Sequence, residues 1–121
     1  MILMIRGIGV DIIELERILQ AVQRNERFIE RILTVSEKKL YNALHKERRK
    51  LEFLAGRFSA KEAFAKATGR GIGKLSFQHI EILRNKQGAP LVTVSGYDSD
   101  KIFLSISHSK EYAIAQVIIT L

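Results

Sequence analysis

The apolar positions Ile5, Ile8, Val10 and Ile12 predict a short opening strand, loosened by Gly7 and Gly9, that runs into a helix at Asp11. Within that helix Leu15, Ile18, Leu19 and Val22 fall at i, i+3, i+4 and i+7 and make one apolar stripe, and Asp11 and Glu14 have the spacing of a capping box. Arg17, Gln20, Ala21 and Arg24 take its opposite side. A second short helix is predicted around Phe28, Ile29, Ile32 and Leu33. Thr34 or Ser36 caps a third, through Glu37, Leu40, Tyr41 and Leu44. The strongest helical signal runs from Arg48 to Thr68 and closes on Gly69 as a C-cap. At about 100° per residue, Leu51, Leu54, Ala55, Phe58 and Ala65 form one stripe of it, and Phe53, Gly56, Ala60, Ala63, Phe64 and Ala67 another on the far side. A helix apolar on two sides belongs in the middle of a fold.

The remainder reads as strands over Leu75–Leu83, Leu91–Val94, Ile102–Ser107 and Ala113–Thr120, with turns at Asn85–Gly88 and Gly96–Asp100. The expected class is α+β: a helical N-terminal half, with a long buried central helix, packed on a mainly antiparallel sheet arranged as a meander. Helices and strands do not alternate, which argues against a doubly wound nucleotide-binding sheet.

Length then bounds the organisation. A chain of 121 residues without repeats or linkers makes one domain, 1–121, and so short a chain gains from an oligomer that completes its core. It has no cysteine, which removes disulfides and thiolate metal sites. The start, MILMIRGIGVDI, lacks a signal-peptide pattern and no apolar run is long enough to cross a membrane, so a cytoplasmic location is expected. The net charge of +7 implies an anionic partner, and the excess sits in residues 32–74, with eleven basic side chains against four acidic. A nucleic-acid module would use the charged stretch from Lys38 to Lys50, but no binding motif accompanies it and the phenylalanines sit in apolar patterns.

Glu62 falls in the first stripe of the central helix, where a carboxylate needs compensation. An ion pair with Lys61, Lys66 or a distant arginine would supply it, and so would a metal ion. Asp11 has the same two readings, helix cap or ligand, and Gly9 leaves room for a ligand to approach the backbone. Carboxylates from Asp11 and Glu62 would suit Mg²⁺, which favours oxygen ligands and keeps waters. Lys61, Lys66 and Arg57, followed by the loop of Gly69, Gly71 and Gly73 with Arg70 and Lys74, suggest a polyphosphate site. His108 ends a strand where it could meet a phosphate. No nucleophile is paired with a base. Arg17, Arg24, Arg27 and Arg31 around Phe28 read as a docking surface for an acidic protein.

GIGVDI at 7–12 and FSAKEAFAK at 58–66 resemble the two signatures of the 4′-phosphopantetheinyl transferases, with the right spacing between them. The resemblance extends over ERILT (30–34), EFLAGRF (52–58), GRGIGKLSFQHIEI (69–82) and SISHSKEYAIAQV (105–117). It implies transfer of 4′-phosphopantetheine from coenzyme A to a serine of apo acyl carrier protein, with release of 3′,5′-ADP, as in the short bacterial members. The serine belongs to the partner, in keeping with the missing nucleophile. By the same resemblance Asp11 and Glu62 bind Mg²⁺ and, with Lys66 near the pyrophosphate, form the catalytic set. The resemblance also implies Arg49 and Arg57 near the 3′-phosphate of coenzyme A, and Gly69, Gly71, His108 and Ser109 are expected to complete its site. Ser109 stands where some relatives carry Thr. Arg17, Ala21, Arg24, Arg27, Phe28, Arg31 and Phe58 align with family positions that receive the acidic helix of the carrier protein and are expected to do so here, Ala21 replacing a Met of some relatives. Glu62 or a water on the metal is the expected base, ahead of His108. Members of this length form homotrimers, each site lying in a cleft between subunits.

Overall fold

The computed structural model describes residues 4–72 and 75–121. Gly73 and Lys74 of the predicted glycine loop lie outside the described residues. In chain order the elements are β1 (Ile5–Glu14), α1 (Leu15–Arg24), α2 (Arg27–Ile32), α3 (Val35–Ala43), α4 (Glu47–Thr68), β2 (Ile80–Arg84), β3 (Pro90–Val94), β4 (Ile102–His108) and β5 (Tyr112–Thr120). The class is α+β, with α4 packed on an antiparallel sheet.

The strands depart from a single meander. β1 pairs with the C-terminal β5, which pairs with β4, in the order β1-β5-β4, while β2 and β3 form a separate antiparallel hairpin. Pairing runs along β1 to Glu14 opposite Tyr112, so Asp11 sits in a strand opposite Ala115 and caps no helix. α1 starts at Leu15, and Glu14 at its N-cap makes no side-chain cap bond. A capping-box spacing is a local signal; a partner strand a hundred residues away overrides it. The predicted strand from Leu75 also shortens. Ser76 Oγ accepts from Gln78 N at 3.1 Å and winds Phe77–His79 into a 3₁₀ turn, leaving the strand to begin at Ile80.

α4 fulfils the expectation of a two-sided central helix. Ala60, Ala63, Phe64 and Ala67 meet Ile80, Ile82, Val92, Val94, Val117 and Ile119, and Leu54 and Ala55 meet Leu15, Ile18, Ile32, Leu33 and Ala113. Its C-cap is Gly69, left-handed at φ 76°.

α3 opens on a capping box: Thr34 Oγ1 accepts from Glu37 N at 3.3 Å, and Glu37 Oε1 accepts from Thr34 N at 2.8 Å. Glu37 is fully buried. Its Oε1 also accepts from Lys61 Nζ at 2.6 Å and its Oε2 from Ile82 N at 2.8 Å. Lys61, buried as deeply, donates further to the carbonyls of Ile32 and Phe77 at 2.6 and 3.0 Å. Burial holds its ammonium below the usual lysine range, with Glu37 opposing. A buried pair with every group satisfied can stand; one stripped of a partner leaves an uncompensated charge. Lys61 therefore serves Glu37 and is not the partner of Glu62.

Candidate active site

The site begins with two missing side chains. A Cβ on Gly7 would lie 2.0 Å from the carbonyl oxygen of Ala67, and one on Gly9 1.8 Å from that of Ala63. β1 thus rests directly on the backbone of α4. The room left by Gly9 admits a helix, where the sequence suggested a ligand. Two residues on, the same register sets Asp11 beside the last turns of α4. Lys66 Nζ donates to Val10 O at 3.0 Å and to Asp11 Oδ1 at 3.1 Å.

Asp11 Oδ2 is buried and has no hydrogen-bond partner. Glu62, one turn before Lys66 on α4, is half-buried and makes no hydrogen bond or ion pair among the described residues. Its carboxyl is held above the ordinary carboxylate range, first by burial and then by the negative charge of Asp11, with Lys66 pulling the other way. The ion pair allowed from sequence is thus taken by others: Lys61 by Glu37, Lys66 by Asp11. Two neighbouring carboxylates, one with a buried free oxygen, call for a cation, and an all-oxygen donor set suits Mg²⁺. Among the described residues no cluster of three or more His, Cys, Asp or Glu exists, so further ligands would be water and substrate oxygens.

A cavity of about 1010 Å³ opens elsewhere on α4, its wall including Arg49, Gly56, Arg57, Arg84, Pro90 and His108. Arg57 is buried; its Nε donates to Ile82 O at 3.1 Å and its guanidinium lies 4.2 Å from the centre of the Phe53 ring. Burial pushes Arg57 down to about 10, Glu37 opposing, which leaves it charged at neutral pH. A Cβ on Gly56 would come within 3.2 Å of His108 Nε2, so this glycine lets His108 lie against the helix. Gly56, Arg84 and Pro90 were missed from sequence. A glycine inside a long helix costs stability, and that cost was the available signal for Gly56. Arg84 and Pro90 carried none, because the hairpin of β2 and β3 reaches the cavity only in the fold.

Gly69, Gly71 and Ser109 do not line this cavity. The two glycines, at φ 76° and 74°, finish α4, their amides donating to Lys66 O and Ala65 O at 3.1 and 3.3 Å. The Ser109 hydroxyl accepts from Tyr112 N at 3.0 Å and shapes the β4–β5 turn. Arg17, Arg24, Arg27 and Arg31 are exposed along α1 and α2, with Ala21 half-buried. The rings of Phe28 and Phe58 stand 6.1 Å apart, which joins α2 to α4, and Phe77 stacks 5.5 Å beyond Phe58.

A sequence profile of the 4′-phosphopantetheinyl transferase superfamily matches residues 7–117. The holo-[acyl-carrier-protein] synthase of Oceanobacillus iheyensis is 58% identical over 116 residues, 96% of this chain and 97% of that protein. Among solved structures, the holo-(acyl-carrier-protein) synthase of Bacillus anthracis in complex with CoA (3′,5′-ADP) is 48% identical, covers 97% of both chains and superposes with a TM-score of 0.84. The Helicobacter pylori holo-[acyl-carrier-protein] synthase in complex with coenzyme A is 40% identical, with a TM-score of 0.77 over 94% of this chain and 99% of that one.

Proposed function

Since the chain belongs to the 4′-phosphopantetheinyl transferase superfamily, we propose that it moves 4′-phosphopantetheine from coenzyme A to a serine of apo acyl carrier protein and releases 3′,5′-ADP. The carrying observation is the group of Asp11, Glu62 and Lys66, locked together by the seating of Gly9 on Ala63. In the reaction the serine oxygen bonds to the β-phosphorus, the bond from that phosphorus to the oxygen bridging the α-phosphate breaks, and the serine proton passes to a base. Asp11 and Glu62 would hold Mg²⁺, which when bound supplies Lewis acidity and neutralises charge at the pyrophosphate. Glu62, half-buried and unpaired among the described residues, is the base in this reading and takes that proton. Lys66 orients Asp11 and offsets charge on the leaving group. In the cavity, Arg57, with Arg49 and His108 beside it, suits the 3′-phosphate. Dephospho-coenzyme A should therefore bind at least about tenfold more weakly than coenzyme A in a calorimetric titration. Equal affinities would contradict this use of the cavity.

One observation favours a site shared between subunits. Arg57 and Lys66, nine positions apart on α4, face about 180° from each other. The 3′-phosphate and pyrophosphate of one coenzyme A flank a single ribose, so one molecule would have to wrap the helix to meet both within one chain. A homotrimer with sites at its clefts removes the difficulty. The face of the three-stranded sheet turned away from α4 supplies the contact: Ile8, Val10, Ile12, Phe103 and Ile114 are 40–60% exposed there. Ile12→Lys is expected to convert three chains to one in light scattering and to lower activity at least about tenfold, with the circular dichroism retained. An unchanged mass and rate would refute the shared site.

The exposed arginines of α1 and α2, with Phe28 among them, suit an acidic helix of the carrier. Reversing Arg31 to Glu should raise KM for apo carrier protein about tenfold or more and leave KM for coenzyme A unchanged. Equal shifts in both constants would place Arg31 elsewhere.

A further inference from the structure

The last carbonyls of a helix find no partner inside it, and a helix of six residues has little else to fix its end. In α2 the carbonyl of Ile29 accepts from Leu33 N at 2.9 Å. Each later carbonyl is met from outside. Gln78 Nε2 donates to Glu30 O at 2.7 Å, Arg31 O at 3.3 Å and Leu33 O at 2.9 Å. Lys61 Nζ takes Ile32 O at 2.6 Å. Both donors come from firm ground. Lys61 adjoins Glu62 on α4, and Gln78 sits in the 3₁₀ turn whose backbone Ser76 and His79 cap. The neighbouring Phe77 ring continues the stack through Phe58 to Phe28.

The end of α2 is therefore latched to α4 one residue from the catalytic carboxylate, and the latch is completed by an exposed glutamine that touches neither coenzyme A's cavity nor the Asp11–Glu62 pair. We infer that Gln78 is a positioning residue for the carrier protein, setting Arg27, Phe28 and Arg31 of α2 at the height from which a docked serine reaches the catalytic end of α4. This rests on the docking reading given above. Gln78 meets three acceptors and no donor in this contact, so only its NH₂ end serves; a glutamate of the same shape would turn an oxygen on three carbonyl oxygens. Because Gln78 lies at the surface, water can replace it and the fold should survive its loss.

The test compares Gln78→Ala and Gln78→Glu by steady-state kinetics with apo acyl carrier protein and coenzyme A, together with hydrogen exchange of the α2 amides. KM for the carrier should rise about fivefold with alanine and about tenfold or more with glutamate, while kcat and KM for coenzyme A stay within about twofold. Exchange in α2 should quicken. Combined with Arg31→Glu, the effect of Gln78→Ala should be smaller than alone, since both act on one docked helix. Unchanged carrier KM in both variants, beside a raised KM in Arg31→Glu, would overturn the inference and leave the docking reading standing. A joint rise in both KM values with a lower melting temperature would also overturn it, as the mark of a purely structural contact. If Arg31→Glu changes nothing, or the unsubstituted protein binds no carrier, the docking reading falls and this inference with it.

Discussion

Glu62→Gln should abolish turnover, lowering kcat about 10³-fold or more, because under the proposed function it removes one of two carboxylates for the cation and the group that takes the serine proton. It should do so in a protein that is folded and, with chelator present, no less stable than the original. The direction follows from the carboxyl's position. Burial and then Asp11 raise its folded pKa above the unfolded one, so the folded state binds this proton more tightly. The stability that this proton binding contributes is complete below the unfolded pKa, near 4.3, and disappears as pH rises through the raised value. At neutral pH the ionised carboxylate is therefore a local liability until a cation arrives. With chelator, melting curves across pH 4 to 8 should show the unsubstituted protein losing ground to Glu62→Gln as pH rises. With Mg²⁺ it should regain that ground, and the variant should respond far less. Turnover within about tenfold of normal, with the same metal dependence, would remove Glu62 from both roles.

Gly9→Ala should have the largest effect on folding, at least about 4 kcal/mol, a large part of what a domain of this size has to lose. The new methyl would lie 1.8 Å from the carbonyl oxygen of Ala63, and a backbone atom inside a buried helix cannot rotate aside. β1 would have to lift from α4, taking Asp11 away from Lys66 and opening the sheet along β5. Urea denaturation would measure the loss, or the protein would fail to accumulate in folded form. Gly56→Ala is the control. Its added carbon would meet only side chains, His108 Nε2 and Ile106 Cγ2 at 3.2 Å, which can shift by a few tenths of an ångström. A loss under about 1 kcal/mol for Gly9→Ala would mean that strand and helix are not in backbone contact.

Features legible in the sequence were those fixed over a few residues. Thr34, one of two caps the sequence offered, announced the start of α3, the two apolar stripes and Gly69 announced the extent of α4, and apolar runs bounded by turn residues announced β4 and β5. Asp11 had two readings in the sequence, ligand or cap, and the cap fails because its strand partner Ala115 lies at the other end of the chain. Glu62 was legible as a carboxylate in need of compensation, but its nearest lysine was not its neighbour in space. Lys61 turns inward to Glu37, a pairing across 24 positions that no local period encodes. The same limit hid Arg84 and Pro90, carried to the cavity by a hairpin, and Gln78, whose reach to α2 depends on a 3₁₀ turn where a strand was expected.

The most direct test is the mass of the product. Purified protein is incubated with apo acyl carrier protein, coenzyme A and Mg²⁺, with a chelator control, and the carrier is weighed intact by mass spectrometry. The expected result is a gain of one phosphopantetheine on the carrier, absent with chelator and absent with Glu62→Gln. A carrier that keeps its mass while the protein binds coenzyme A would contradict the transferase reading and leave a coenzyme A-binding protein in its place.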